Sequence, residues 1–84
     1  MRRRILVTGA SRGLGRAIAR RFGEAGDRVA VGFQSDRAAA EETAESVRSA
    51  GGEAVVLQAD LARPDEARRV VAEAASAWGG LDVL

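Results

Sequence analysis

Thr8-Gly9-Ala10-Ser11-Arg12-Gly13-Leu14-Gly15 separates a short apolar run, Ile5-Leu6-Val7, from a helical stretch that opens Arg16-Ala17-Ile18-Ala19. Three glycines and two small polar residues at such a point have two readings. One is a tight turn. The other is a site for an anion, because the first N–H groups of a helix lack partners and carry about half a positive charge. On the second reading each glycine has a task. Gly9 lets the chain leave the strand sharply, Gly13 removes a side chain where a phosphate approaches, and Gly15 lets the helix pack close to the sheet. The spacing is G-x3-G-x-G, and it lacks the Gly-Lys-Ser/Thr of a Walker P-loop. A strand before the glycines and a helix after them is the context that favours the ligand.

Outward from this turn the hydrophobic period switches regularly. Arg4 to Thr8 reads as an apolar strand. Leu14, Ala17, Ile18, Phe22 and Ala25 fall on one face of a first helix, which Gly26-Asp27 stops. Arg28 to Phe33 is a second strand. Ser35 or Asp36 caps a second helix with Ala40, Ala44 and Val47 on its inner face, and Gly51-Gly52 ends it. Ala54 to Ala59 is a third strand. Pro64 suits the first turn of a third helix, whose stripe is Ala67, Val70, Val71, Ala74 and Trp78. After Gly79-Gly80, Leu81 to Leu84 opens a fourth strand.

Strands alternating with helices imply an α/β protein with a parallel sheet and right-handed crossovers. Strands apolar throughout imply helices on both faces. The expectation is the first part of a doubly wound Rossmann fold, strand order 3-2-1-4, with residues 1–84 forming the N-terminal dinucleotide-binding part of one domain. The chain stops inside an apolar strand, so a longer protein is expected.

Composition narrows the chemistry. Apolar residues make up 46% of the 84, enough for a core. No apolar run approaches the ~20 residues that span a bilayer, and none suits a secretory leader. A cytoplasmic protein with no membrane partner is expected. The net charge is +1, which gives no field for nucleic acid. His, Cys, Lys, Tyr and Asn are all absent. No metal site is expected, and no Ser-His-Asp or Cys-His arrangement can form within these residues.

Thr8 to Gly15 resembles the TGxxxGxG motif of the short-chain dehydrogenase/reductase family. Asp60-Leu61 resembles that family's adenine-binding Asp-Val/Leu pair, and Gly80-Leu81-Asp82-Val83-Leu84 the run before its Asn-Asn-Ala-Gly motif. The likeness covers the whole chain and is nearest to 3-oxoacyl-[acyl-carrier-protein] reductases. It implies hydride transfer between nicotinamide and a carbonyl or alcohol, on a small-molecule or acyl-carrier-bound substrate, by a homo-oligomer. It also implies that the catalytic Asn, Ser, Tyr and Lys lie beyond Leu84, so these residues include no catalytic group.

The implied cofactor is NADP(H) ahead of NAD(H). An NAD-binding unit usually ends its second strand with an acid that holds the ribose diol. Here that place is Phe33, and Asp36 is read as a helix cap. Arg12 and Arg37 could attract a 2′-phosphate, with Ser11 and Ser35 as extra donors. The family's NADP-preferring members carry a basic residue at the position of Arg12. Asp60 would accept from the adenine amino group and Leu61 would offer its N–H to the ring. Thr8, Gly9, Gly13, Leu14 and Gly15 complete the expected cofactor contacts. Trp78 is read as core and Asp82 as structural. A non-catalytic nucleotide-binding regulator or scaffold, and another Rossmann enzyme such as a methyltransferase, are the rival readings.

Overall fold

The computed structural model of the protein describes residues 3–9, 13–60 and 62–78, with the side chains of 77 and 78 left aside. Its elements run β1 (Arg4–Val7), α1 (Gly13–Glu24), β2 (Arg28–Phe33), α2 (Arg37–Ser49), β3 (Glu53–Gln58) and α3 (Pro64–Trp78). The three strands form one parallel sheet in the order β1-β2-β3, with Arg4 opposite Arg28 and Arg28 opposite Glu53. This is a Rossmann-like α/β arrangement. The fourth strand expected from Leu81 lies outside the described residues, and so does the last place in the order 3-2-1-4.

β2 is the middle strand, and its sequence explains why. Val29, Ala30 and Val31 are all fully buried, as a strand covered on both faces requires. Alternate residues serve opposite layers. Val29, Val31 and Phe33 pack with Ala19 of α1 and with Ala40, Ala44 and Val47 of α2. Ala30 packs with Leu6, Ala59 and the Val70 and Ala74 of α3. Helices α1 and α2 therefore share one face and α3 covers the other.

α2 follows its sequence closely. The Asp36 carboxylate caps it by accepting from the Ala39 N–H at 3.0 Å. Ala40, Ala44 and Val47 form the buried stripe, joined by Thr43, which is also fully buried. In α3 the expected stripe holds at Val70 and Ala74, with Ala67 and Val71 half-buried. The side chain of Trp78 and all of Asp82 lie outside the described part.

α1 departs from expectation. Leu14 and Ile18 are 77% and 40% exposed, and Ala17 and Ala25 are exposed too. The buried face is Ala19 and Gly23, with Phe22 half-buried. Close approach is the cause. A Cβ on Gly23 would stand 2.9 Å from the Val47 carbonyl oxygen, so the helix faces inward with its smallest residues. Strand limits also shift slightly. β1 ends at Val7 rather than Thr8, and β3 runs Glu53–Gln58 rather than from Ala54 to Ala59. Glu53 belongs to the ladder because it pairs with Arg28 in register, and its N–H donates to the Asp27 carbonyl at 3.1 Å.

The amino end of the sheet is closed by Asp27, only 2% exposed. Its Oδ1 accepts from the Arg3 N–H at 3.0 Å, and its Oδ2 from Arg3 Nε and Nη2 at 3.1 and 2.8 Å. The Arg3 guanidinium also lies 5.2 Å from the Phe22 ring centroid. A sequence reading treated Asp27 only as a helix stop.

Candidate functional site

At the opposite, carboxyl end of the strands lies a cavity of about 270 Å³. Thr8, Gly9, Phe33 and Asp60, all singled out in the sequence, line it together with Gly32 and Gln34. The parallel topology brings these distant segments to one rim, where ligands bind in open α/β sheets.

Gly9 and Gly13 have φ of +64° and +62°, a conformation L residues rarely adopt. A Cβ on either would meet no atom within 4 Å. The backbone thus demands glycine there, and the space beside it is open. Gly13 is the first residue of α1, with Leu14 and Gly15 following in its first turn. The N–H groups of this turn face no intrahelical acceptor. Gly32, at the end of β2, is needed for another reason. A Cβ there would stand 3.3 Å from the Val7 carbonyl oxygen.

Phe33 is 5% exposed, and the Arg37 guanidinium sits 5.3 Å from its ring centroid. Arg37 also pairs with Glu41 at 3.4 Å. An exposed pair of this kind adds little stability, so the guanidinium can turn toward an anion. Ser35 is exposed beside it. Asp36 is committed to the cap of α2.

The Asp60 carboxylate is held by its own loop, since Oδ1 accepts from the Ala62 N–H at 3.1 Å. The Asp60 N–H donates to Glu66 Oε1 at 3.4 Å. The hydrogen bond from Arg69 is the main reason the Glu66 carboxyl lies below its ordinary value, and Glu66 and Glu73 raise Arg69 in return. Ser11, Arg12 and Leu61 lie outside the described residues.

Sequence reasoning missed several residues that shape the rim. Arg16, one turn into α1, donates from Nε to Thr43 Oγ1 at 2.9 Å and from Nη2 to the Ala39 carbonyl at 3.0 Å. It braces the first turn of α1 against that of α2. Gln34, Gln58, Glu66 and Arg69 also escaped notice. A polar Gln58 closing an apolar strand was the one visible signal. The rest depend on pairings that no local pattern announces.

The cavity offers an aromatic ring with an arginine beside it and one carboxylate held by its own loop, and β1 leads toward the amino terminus of α1. Asp60 is the sole acid lining the cavity among the described residues. The arrangement is suited to holding a nucleotide.

Comparison with known proteins agrees with that geometry. The 3-oxoacyl-[acyl-carrier-protein] reductase FabG of Staphylococcus epidermidis is 40% identical over 84 residues, covering all of this chain and 34% of the relative. A short chain dehydrogenase from Burkholderia cenocepacia, solved in complex with NADP, superposes with a TM-score of 0.90 at 39% identity, over 96% of this chain and 34% of that one. An NADH-dependent reductase complexed with NAD gives a TM-score of 0.90 at 29% identity, over 98% and 34% of the respective chains. The chain therefore spans about a third of the length of the relatives it matches. The family model for short chain dehydrogenases matches residues 3–84, and the chain belongs to that family.

Proposed function

We propose that this chain is the NADP(H)-binding portion of an oxidoreductase that moves hydride between nicotinamide and a carbonyl or alcohol, with a 3-oxoacyl thioester as the substrate. The carrying observation is the cavity in which Thr8, Gly9, Phe33 and Asp60 converge. These residues suit part of a dinucleotide. Open space beside two positive-φ glycines leaves room for a diphosphate against backbone N–H groups. The cavity is near the lower limit of about 300 Å³ for small-molecule pockets, which suits one ring system rather than a whole dinucleotide. Asp60 would accept from an adenine amino group there, and Leu61 would offer its N–H to the ring.

NADP(H) is favoured over NAD(H) because the end of β2 carries Phe33, with no carboxylate to repel a 2′-phosphate. Arg37 beside that ring, and Arg12 with Ser11 and Ser35, would hold the phosphate. When bound, the nicotinamide supplies the hydride. This chain's residues hold and orient the dinucleotide. The groups that move the proton and grip the carbonyl belong to the rest of a full-length, cytoplasmic homo-oligomer. The placement of α3 supports the strand order 3-2-1-4. A right-handed crossover through a helix on the opposite face steps back past β1.

Titration of the chain with NADPH and NADH tests the reading. NADPH should bind about tenfold or more tightly, the worth of a charge-assisted hydrogen bond to phosphate. Arg37→Ala and Arg12→Ala should each erode that preference while leaving NADH affinity nearly as it was. Equal losses for both dinucleotides would remove the arginines from this role. Binding of neither would remove the function.

A further inference from the structure

Gln34 and Asp60 line the same cavity from different segments, and each is tied down from outside it. The Gln34 carbonyl accepts from Gln58 Nε2 at 3.1 Å. The Gln58 carbonyl in turn accepts from Arg69 Nη2 at 2.7 Å. That same Nη2 donates to Glu66 Oε1 at 3.2 Å, and Glu66 Oε1 accepts the Asp60 N–H at 3.4 Å. The path Gln34–Gln58–Arg69–Glu66–Asp60 leaves the cavity at one residue, crosses α3, and returns at another.

Arg69 is the junction. It makes four hydrogen bonds: two to Glu66, one to Glu73 and one to the Gln58 carbonyl. Its planar fork fixes the angles between them in a way a lysine could not. The side chains of Arg69 and Glu66 are 41% and 32% exposed. Ion pairs this exposed contribute little to folding. A role in folding therefore explains the network poorly, whereas its two ends both reach residues that line the cavity.

We infer that Glu66 and Arg69 are positioning residues for purine recognition, setting Gln34 and Asp60 so that the cavity distinguishes a 6-amino from a 6-oxo purine. The inference rests on the nucleotide-binding reading above. A carboxylate accepts from a 6-amino group and faces another acceptor in a 6-oxo group. That contrast is sharp only while the carboxylate is held in place. Asp60 is held at three points, by Ala62 on its side chain, by Glu66 on its N–H and by the Arg63 N–H on its carbonyl. Loosening the second would let the loop shift and blur the contrast.

Calorimetric titration of the chain with adenosine diphosphate and inosine diphosphate provides the test. The unsubstituted chain should prefer the adenosine form. Glu66→Ala and Arg69→Met should narrow the preference about tenfold, the value of one hydrogen bond to a charged group. Their melting temperatures should fall by no more than about 4 °C, as expected for exposed pairs. Glu66→Gln keeps an oxygen acceptor for the Asp60 N–H and should retain most of the preference. Variants that discriminate as well as the unsubstituted chain, or weaken both nucleotides equally, overturn the inference while leaving nucleotide binding intact. If the unsubstituted chain binds neither nucleotide, the inference and the nucleotide-binding reading fall together.

Discussion

Gly52 at the amino end of the sheet and Gly9 and Gly13 at the carboxyl end are glycines for opposite reasons. At the amino end, a Cβ on Gly52 would stand 2.7 Å from the Asp27 carbonyl oxygen and 2.8 Å from the Gly23 Cα. At the carboxyl end, a Cβ on Gly9 or Gly13 would meet nothing within 4 Å. One set exists because protein is too near. The other exists because the backbone turns left-handed beside open space. The amino end also holds the buried Asp27, paired with the half-exposed Arg3, while the carboxyl end holds the cavity. Close contacts gather around Gly52 and Asp27, and open space lies beside Gly9 and Gly13.

The comparison breaks most readily at Gly52. An alanine there would overlap two backbone atoms, which cannot swing aside as a side-chain tip can. The loss should be about 3 kcal/mol, at the upper end of ordinary overpacking. Denaturant unfolding measures it. Nucleotide affinity of the protein that remains folded should be unchanged, because the clash lies at the far end of the strands. A loss below about 1 kcal/mol would show that the amino end is more yielding than its geometry implies.

Asp27 should come next. Burial pushes its carboxyl pKa up, but hydrogen bonds from the Arg3 side chain and backbone, with the Arg3 charge, more than reverse this and leave it below 3.8. A depressed folded pKa means stability that is complete above the unfolded value and is lost as pH falls through the folded one. Asp27→Asn should cost about 2 kcal/mol near neutrality, since it weakens hydrogen bonds to a charged group. In the unsubstituted chain that contribution should fade only in acid, where the two stability curves converge. Unfolding measured at about pH 7 and about pH 3 decides the matter. Curves that stay parallel would mean Asp27 contributes through shape rather than charge.

The same contrast explains what could be read from sequence. β2 and α2 were legible because bulky or small apolar residues at Val29, Val31, Ala40, Ala44 and Val47 recur at the period of their element. Asp36 was legible as a cap because its carbonyl and carboxylate act within four residues. α1 was misread because Leu14 and Ile18 are the more hydrophobic residues, yet close packing on α2 selects Ala19 and Gly23. In the site, Thr8, Gly9, Phe33 and Asp60 could be named because each follows or ends a strand at the same rim. The frame behind them could not. Gln58 reaches Gln34 across 24 residues and Arg69 reaches Gln58 across 11, and neither spacing has a local signature. Arg3 and Asp27, 24 apart, are hidden for the same reason.

The smallest of these three effects on folding, and the sharpest test of the comparison, belongs to Gly13. An alanine there must adopt a φ of about +62°, which costs about 1 kcal/mol. It meets no neighbour, so nothing adds to that figure. For a domain of this size the melting temperature should fall by roughly 4–8 °C, well short of the Gly52→Ala loss. The new methyl group would nevertheless stand at the opening of α1, where a diphosphate must approach the backbone closely. Dinucleotide affinity should therefore fall more than about tenfold, as loss of a charged hydrogen bond does. Gly52→Ala and Gly13→Ala would then be mirror images, one losing stability and keeping affinity, the other the reverse. If Gly13→Ala binds NADPH as the unsubstituted chain does, the open space beside that glycine belongs to solvent, and the division of labour between the two ends fails at its functional half.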